Sequence, residues 1–280
     1  MKRLIVPVSL VGFIVLLAVA APILGLPDPV RQDVARRLSS PAAANLLGRD
    51  EFGRDMLSRL IWGARVSLSV ALASALVACL CGTLIGLCGT LIGLCGACFR
   101  GIGGVLALGS TDIILCFLPV LLALLVVTSL GPGPMTLILV LSAFFLPGFA
   151  RVTYAEVLLV RSFEYVDAAR AMGATTPRIL VRTVLPNVAG PVLVQLSLAV
   201  AGAIVLESGL CFLGLGVVPP SPSWGLMIRG ARTTIELAPV LLVWPCAALT
   251  FTILAMNLLC DALRDAVDPR SLASLFSKRS

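Results

Sequence analysis

The 280-residue chain contains no histidine, and only 12% of its residues are charged. Soluble domains carry about 25% charged residues, so a large soluble helical protein could not be given polar faces from this supply. The lack of histidine removes the commonest metal ligand and a good ligand for nickel. No G-x-x-x-x-G-K-[ST] sequence occurs, so the chain is not expected to bind ATP itself. Nine cysteines are present, all in apolar runs. Cys95 and Cys98 have C-x-x-C spacing with no second pair, and buried cysteine packs as a small hydrophobe. No metal site is expected.

What the chain does contain is apolar. Hydrophobic residues make up 59% of it, and the mean hydropathy is +1.07. The apolar runs are continuous rather than alternating, which excludes a membrane barrel. An all-α integral membrane protein remains, because backbone groups in lipid must be satisfied within each segment. The net charge of +7 comes almost entirely from arginine. In such a chain it points to cytoplasmic loops and anionic headgroups, not to nucleic acid.

Six transmembrane helices are expected. The first covers about 4–26, and the second lies within 66–99. Two more share 105–157, separated by Gly131-Pro132-Gly133-Pro134, and the last two cover about 184–212 and 238–263. The first apolar run exceeds the 7–15 residues of a signal-peptide core and reads as an uncleaved signal-anchor. An even count puts both termini on one side, with the N-terminus, the 164–187 block and the basic tail 264–280 all cytoplasmic. The chain divides into residues 1–65, a span plus an external amphipathic segment, and residues 66–280, a five-helix core with a loop at 161–187.

Residues 82–95 hold GTLIGLC twice in tandem. Gly82, Gly86, Gly89, Gly93 and Gly96 fall on one helical stripe, where small residues let a second helix come close. Seven extra residues add roughly 10.5 Å of helix, so this helix should overrun the hydrocarbon or tilt.

Residues 164–187, EYVDAARAMGATTPRILVRTVLPN, are a short polar block between long apolar runs. In a chain this poor in charge, the block marks a surface that meets water or a protein. Ala168, Ala169 and Ala171 offer a smooth helical face, with Glu164, Asp167, Arg170 and Arg178 around it. Gly173 suits the position just past a helix end, and Pro177 suits a first helical turn. The spacing of Asp167-Ala168-Ala169, Gly173 and Leu185-Pro186 resembles the E-A-A, Gly, I-x-L-P pattern of the coupling loop of bacterial ABC-importer permeases. Asp167 stands where Glu is usual and Thr183 where Ile is usual.

Three further segments sharpen the resemblance. They are LLGRDEFGRDMLSRLIWGARVSL at 46–68, ESGLCFLGLGVVPPSPSW at 207–224 and NLLCDALRDAVDPR at 257–270. They are similar to segments of the dipeptide, oligopeptide and nickel permeases, and fit best the C-type partner, the one with the shorter N-terminus. Arg49, Cys211 and Cys260 replace the usual Thr, Ser and Gly.

The resemblance implies a type I ABC importer permease fold with a cytoplasmic coupling helix, in the bacterial inner membrane. It implies a non-catalytic subunit that pairs with a homologous permease and with one or two ATPase subunits, which bind ATP and Mg. An extracytoplasmic binding protein would deliver peptide. Glu164, Asp167, Ala168, Ala169, Arg170, Gly173, Leu185 and Pro186 are the expected coupling residues. Arg54, Asp55, Arg59, Trp62 and Trp224 are expected on an external scoop that docks the binding protein. Glu207 and Asp112 are intramembrane acids, functional candidates by default, for a gate or the translocation path. Nickel import within the same family and ion-coupled secondary transport remain as alternative readings.

Overall fold

The computed structural model describes residues 2–42, 45–95, 109, 113 and 117–267. Asp112, Gly96, Cys98 and the tail 268–280 lie outside the described residues. The chain runs through α1 (Lys2–Ala20), α2 (Met56–Cys95), α3 (Pro119–Leu130), α4 (Pro134–Arg161), α5 (Glu164–Ala171), α6 (Thr176–Ile179), α7 (Leu185–Leu213), α8 (Trp224–Thr233) and α9 (Val240–Val267). A 3₁₀ turn covers Val34–Arg36, and a π-helical turn at Leu180–Val184 leads into α7. Two isolated bridges pair Ala42 with Asn45 and Arg49 with Asp55, and no strand forms among the described residues.

Among the described residues, four helical stretches are long and apolar enough to cross a membrane: Met56–Thr90, Pro134–Arg161, Arg182–Leu213 and Val240–Val267. Ile5–Ala20 and Pro119–Leu130 are apolar but shorter. The first helix stops well before residue 26. The amides of Ile23 and Leu24 both turn back to the carbonyl of Ala20, at 2.8 and 3.1 Å, and Pro22 has no amide to continue the ladder. The second helix starts at Met56 rather than within the expected 66–99. The carboxylate of Asp55 accepts the amide of Ser58 at 2.8 Å, an N-cap that opens the helix there. Its 40 residues make a rod of about 60 Å, roughly twice the hydrocarbon thickness. Within the expected third span, the helix among the described residues is α3.

The chain forms two compact units, Met1–Ser74 with Pro119–Leu141 and Val200–Leu259, and Ala75–Leu118 with Ser142–Ala199 and Cys260–Ser280. In the first unit Ala71, Leu137, Ile204, Leu210 and Trp224 are enclosed. Residues 28–55 are not a loose loop. Arg49 bridges to Asp33 at 2.8 Å and to the carbonyl of Gly53 at 3.2 Å. Gly53 has φ +75° and lies so close to the Asp33 backbone that no side chain fits.

In the second unit Gly82 and Gly86 of the expected glycine stripe form a close helix contact. A β-carbon on Gly82 would stand 2.6 Å from the carbonyl oxygen of Leu146 and from the β-carbon of Phe149. One on Gly86 would stand 2.7 Å from the carbonyl oxygen of Ala150. Here α2 and α4 approach backbone to backbone, as small residues permit.

Candidate functional site

Helix α5 is eight residues long, too short to persist alone in water. Among its described side chains, one is enclosed. Val166, 1% exposed, enters a cluster with Val157 and Val160 of α4, Ile179 of α6, Val184 of the π-helical turn and Val188 of α7. Two polar and aromatic contacts add to this anchor. Phe163 and Tyr165 stack at 5.6 Å. The amide of Asn187 donates to the Tyr165 hydroxyl at 3.4 Å and to the Thr183 carbonyl at 2.6 Å.

Glu164, Ala168 and Ala171 of α5 are exposed, as is Met172 just after it. Asp167, Ala169 and Arg170 lie on the same helix. Gly173 follows with φ +81°, and a β-carbon added there would meet nothing within 4 Å. Glycine is therefore required at this position for backbone shape and not for space. Leu185 and Pro186 open α7 and are exposed. The structure gathers the polar block into a small protruding helix on a valine base.

Glu207 has no exposed surface. The Ser208 hydroxyl donates to it at 3.2 Å and the Cys211 thiol at 3.1 Å. The Ser67 hydroxyl approaches the same carboxylate without closing a full hydrogen bond. Cys211 in turn accepts the amide of Val217 at 3.3 Å. Among the described residues no basic group pairs with Glu207. The carboxylate is held within α7 by Ser208 and Cys211, and Cys211 links it to the turn after Leu213.

The residues expected on an external docking surface are mostly interior. Arg54, Asp55, Arg59 and Trp224 are each below 9% exposed. Arg54 and Arg59 converge on Asp50, at 2.7 and 3.4 Å. Asp50 also accepts the amides of Phe52 and Arg54, both at 2.9 Å. Arg59 reaches back to the carbonyl of Pro29 at 3.2 Å. Trp224 opens α8 and donates to the carbonyl of Leu60 at 3.1 Å, while Ser223 caps the helix. These groups pack the interior of the first unit. Trp62 is half-buried and carries Arg65 above its ring at 5.5 Å.

Sequence reading missed Asp50 as the hub of this cluster and Val166 as the anchor of α5. It also missed a groove in the second unit lined by Glu156, Gln195, Asp261 and Arg264. Glu156 in the last turns of an apolar helix was the available signal.

The comparisons with known proteins agree with one another. Residues 87–272 match the family described as binding-protein-dependent transport system inner membrane component. A glutathione transport system permease protein of Pectobacterium atrosepticum is 36% identical over 85% of this chain and 77% of its own length. A di/tripeptide transport system permease protein of Pseudomonas aeruginosa is 40% identical over 92% of this chain and 84% of its own. The solved MetNI methionine ABC transporter, in an inward-facing conformation, aligns with 76% of this chain and 98% of its own, at a TM-score of 0.59 and 17% identity. That likeness shows the fold, a type I ABC importer permease fold. The chain belongs to the family of binding-protein-dependent transport system inner membrane components, as a non-catalytic permease subunit of an ABC importer.

Proposed function

We propose that the chain is one of two homologous membrane subunits of a bacterial importer for short peptides. Six spans, α1, α2, α3, α4, α7 and α9, cross the inner membrane, with both termini in the cytoplasm. Helix α5 seats in a groove of a partner ATPase subunit, which binds ATP and Mg. ATP-driven closure of the ATPases moves α5 and reorients the pore between inward-open and outward-open states. A binding protein delivers cargo on the opposite face, above residues 28–55 and α8.

The observation that carries this reading is α5 itself. A short helix with exposed Ala168 and Ala171 and a valine base suits insertion into a partner's groove. The peptide cargo is supported by the names of the relatives, which transport di- and tripeptides or glutathione. ATP hydrolysis by the purified complex with its partner subunits tests the proposal. Gly173→Asp strains the φ +81° turn and adds a charge at the docking face. The expected result is an assembled complex whose turnover no longer responds to the loaded binding protein. If no ATPase subunit accompanies the intact wild-type chain, the proposal is wrong.

A further inference from the structure

The unit that carries α5 contains a groove of about 690 Å³, within the range of roughly 300–1,000 Å³ typical of small-molecule sites. Helices α4, α7 and α9 wall it, and Phe163 and Tyr165 also line it. Leu159, Val194 and Leu198 are among its apolar residues. Glu156 from α4, Asp261 and Arg264 from α9 and Gln195 from α7 are its charged and amide groups, with Asn187.

The charges are the unusual part. Ionisable side chains are rare in membrane-spanning helices and line cavities or pathways where they occur. Asp261 and Arg264 are one helical turn apart, a spacing that permits an ion pair. Yet among the described residues neither they nor Glu156 form one. The groove thus offers one cation and two carboxylates, without an ion pair among the described residues, together with apolar lining. A zwitterion with an apolar body complements that arrangement, and a free peptide carries a carboxylate at one end and an ammonium at the other.

We propose that this groove is the inward-side seat of the cargo, with Arg264 taking the terminal carboxylate of a short peptide and Glu156 and Asp261 its terminal ammonium. Gln195 supplies a neutral donor and acceptor to the peptide bond. This inference rests on the peptide-importer reading above. It also gives cargo and docking helix a shared residue, because Tyr165 both lines the groove and belongs to α5.

Equilibrium binding to the nucleotide-free complex, reconstituted with its partner subunits in nanodiscs without the binding protein, tests this. The probe is a radiolabelled dipeptide that the wild-type complex imports, with its N-acetylated and C-amidated forms. Saturable binding is expected, weakened about tenfold or more by either blocked end, the loss of one charge-assisted hydrogen bond. Arg264→Gln should give the same loss, and amidation should then cost nothing further. Glu156→Gln should do this for acetylation, and Arg264→Lys should restore much of the binding. If either variant fails to assemble, the blocked dipeptides test the same contacts on wild type. Full-strength binding of both blocked forms, as for a groove filled by lipid, overturns the inference, and so does import with normal affinity in both variants. A wild-type complex with binding-protein-stimulated ATPase but no peptide import overturns the peptide reading as well.

Discussion

Gly86→Ala tests the contact between α2 and α4 most directly. The new β-carbon would stand 2.7 Å from the carbonyl oxygen of Ala150 and 2.8 Å from the β-carbon of Thr153. Non-bonded carbon atoms settle near 3.5–4.0 Å, so about 1 Å of space is missing. Neither neighbour is the flexible end of a side chain, and Phe149 and Ala150 beside them are fully enclosed. Relief therefore means moving α4 as a whole. Overpacking of this kind costs about 1–3 kcal/mol, against a gain of about 0.5–1 kcal/mol from replacing glycine by alanine in a helix. A net loss of about 1–2 kcal/mol is expected from the two together.

Gly82→Ala meets the same helix at 2.6 Å. Once α4 has moved for one substitution, the second finds room, so the pair should cost less than the sum. Gly209 in α7 is the control, since nothing lies within 4 Å of its added β-carbon. Thermal unfolding of the purified complex in one detergent reads all four variants. Gly86→Ala should melt several degrees below wild type, and Gly209→Ala at or above it. If Gly86→Ala melted at or above wild type, close approach would not hold these helices, and the tandem glycine stripe would have no packing role.

Other substitutions probe the buried polar centres. Asp50→Ala strands Arg54 and Arg59 in the interior and should cost about 3–5 kcal/mol, read as loss of assembled complex or a much lower melting temperature. Glu207→Gln keeps an acceptor for Ser208 and Cys211 and should be mild, whereas Glu207→Ala leaves both donors and a cavity and should cost about 2–5 kcal/mol; equal stability of the two would refute the hub. Trp224→Phe removes the bond to the Leu60 carbonyl while keeping most of the ring; that carbonyl lies within α2 and keeps its helical amide partner, so the change should cost only about 0.5–1.5 kcal/mol in unfolding.

The glycine stripe could be read from the sequence because spacing alone places residues on one helical face. The same was true of the α5 block, whose charges stood out against apolar flanks. Helix starts were harder. Arg54, Asp55 and Arg59 resembled surface chemistry because a linear reading treats charge as exposure. Asp50 satisfies two arginines at once, which only the folded turn at Gly53 makes possible. The interior position of Trp224 depends on the carbonyl of Leu60, a partner distant in sequence and invisible to any local pattern. Val166 was passed over for a related reason: one apolar residue in a polar helix carries no periodic signal.

On the importer reading proposed above, that valine decides where a push on α5 would act. The exposed residues Glu164, Ala168 and Ala171 are the part of the helix proposed to meet a partner. Val166 touches α4, α6 and the start of α7 through a single enclosed cluster. Packed interiors are nearly incompressible, so a push on α5 is felt by both flanking spans at once. The Tyr165–Asn187 bond acts in parallel from α5 to α7. The proposed docking and its transmission thus fall to different residues of α5, and a change confined to Glu164, Ala168 or Ala171 should weaken docking without loosening the Val166 anchor.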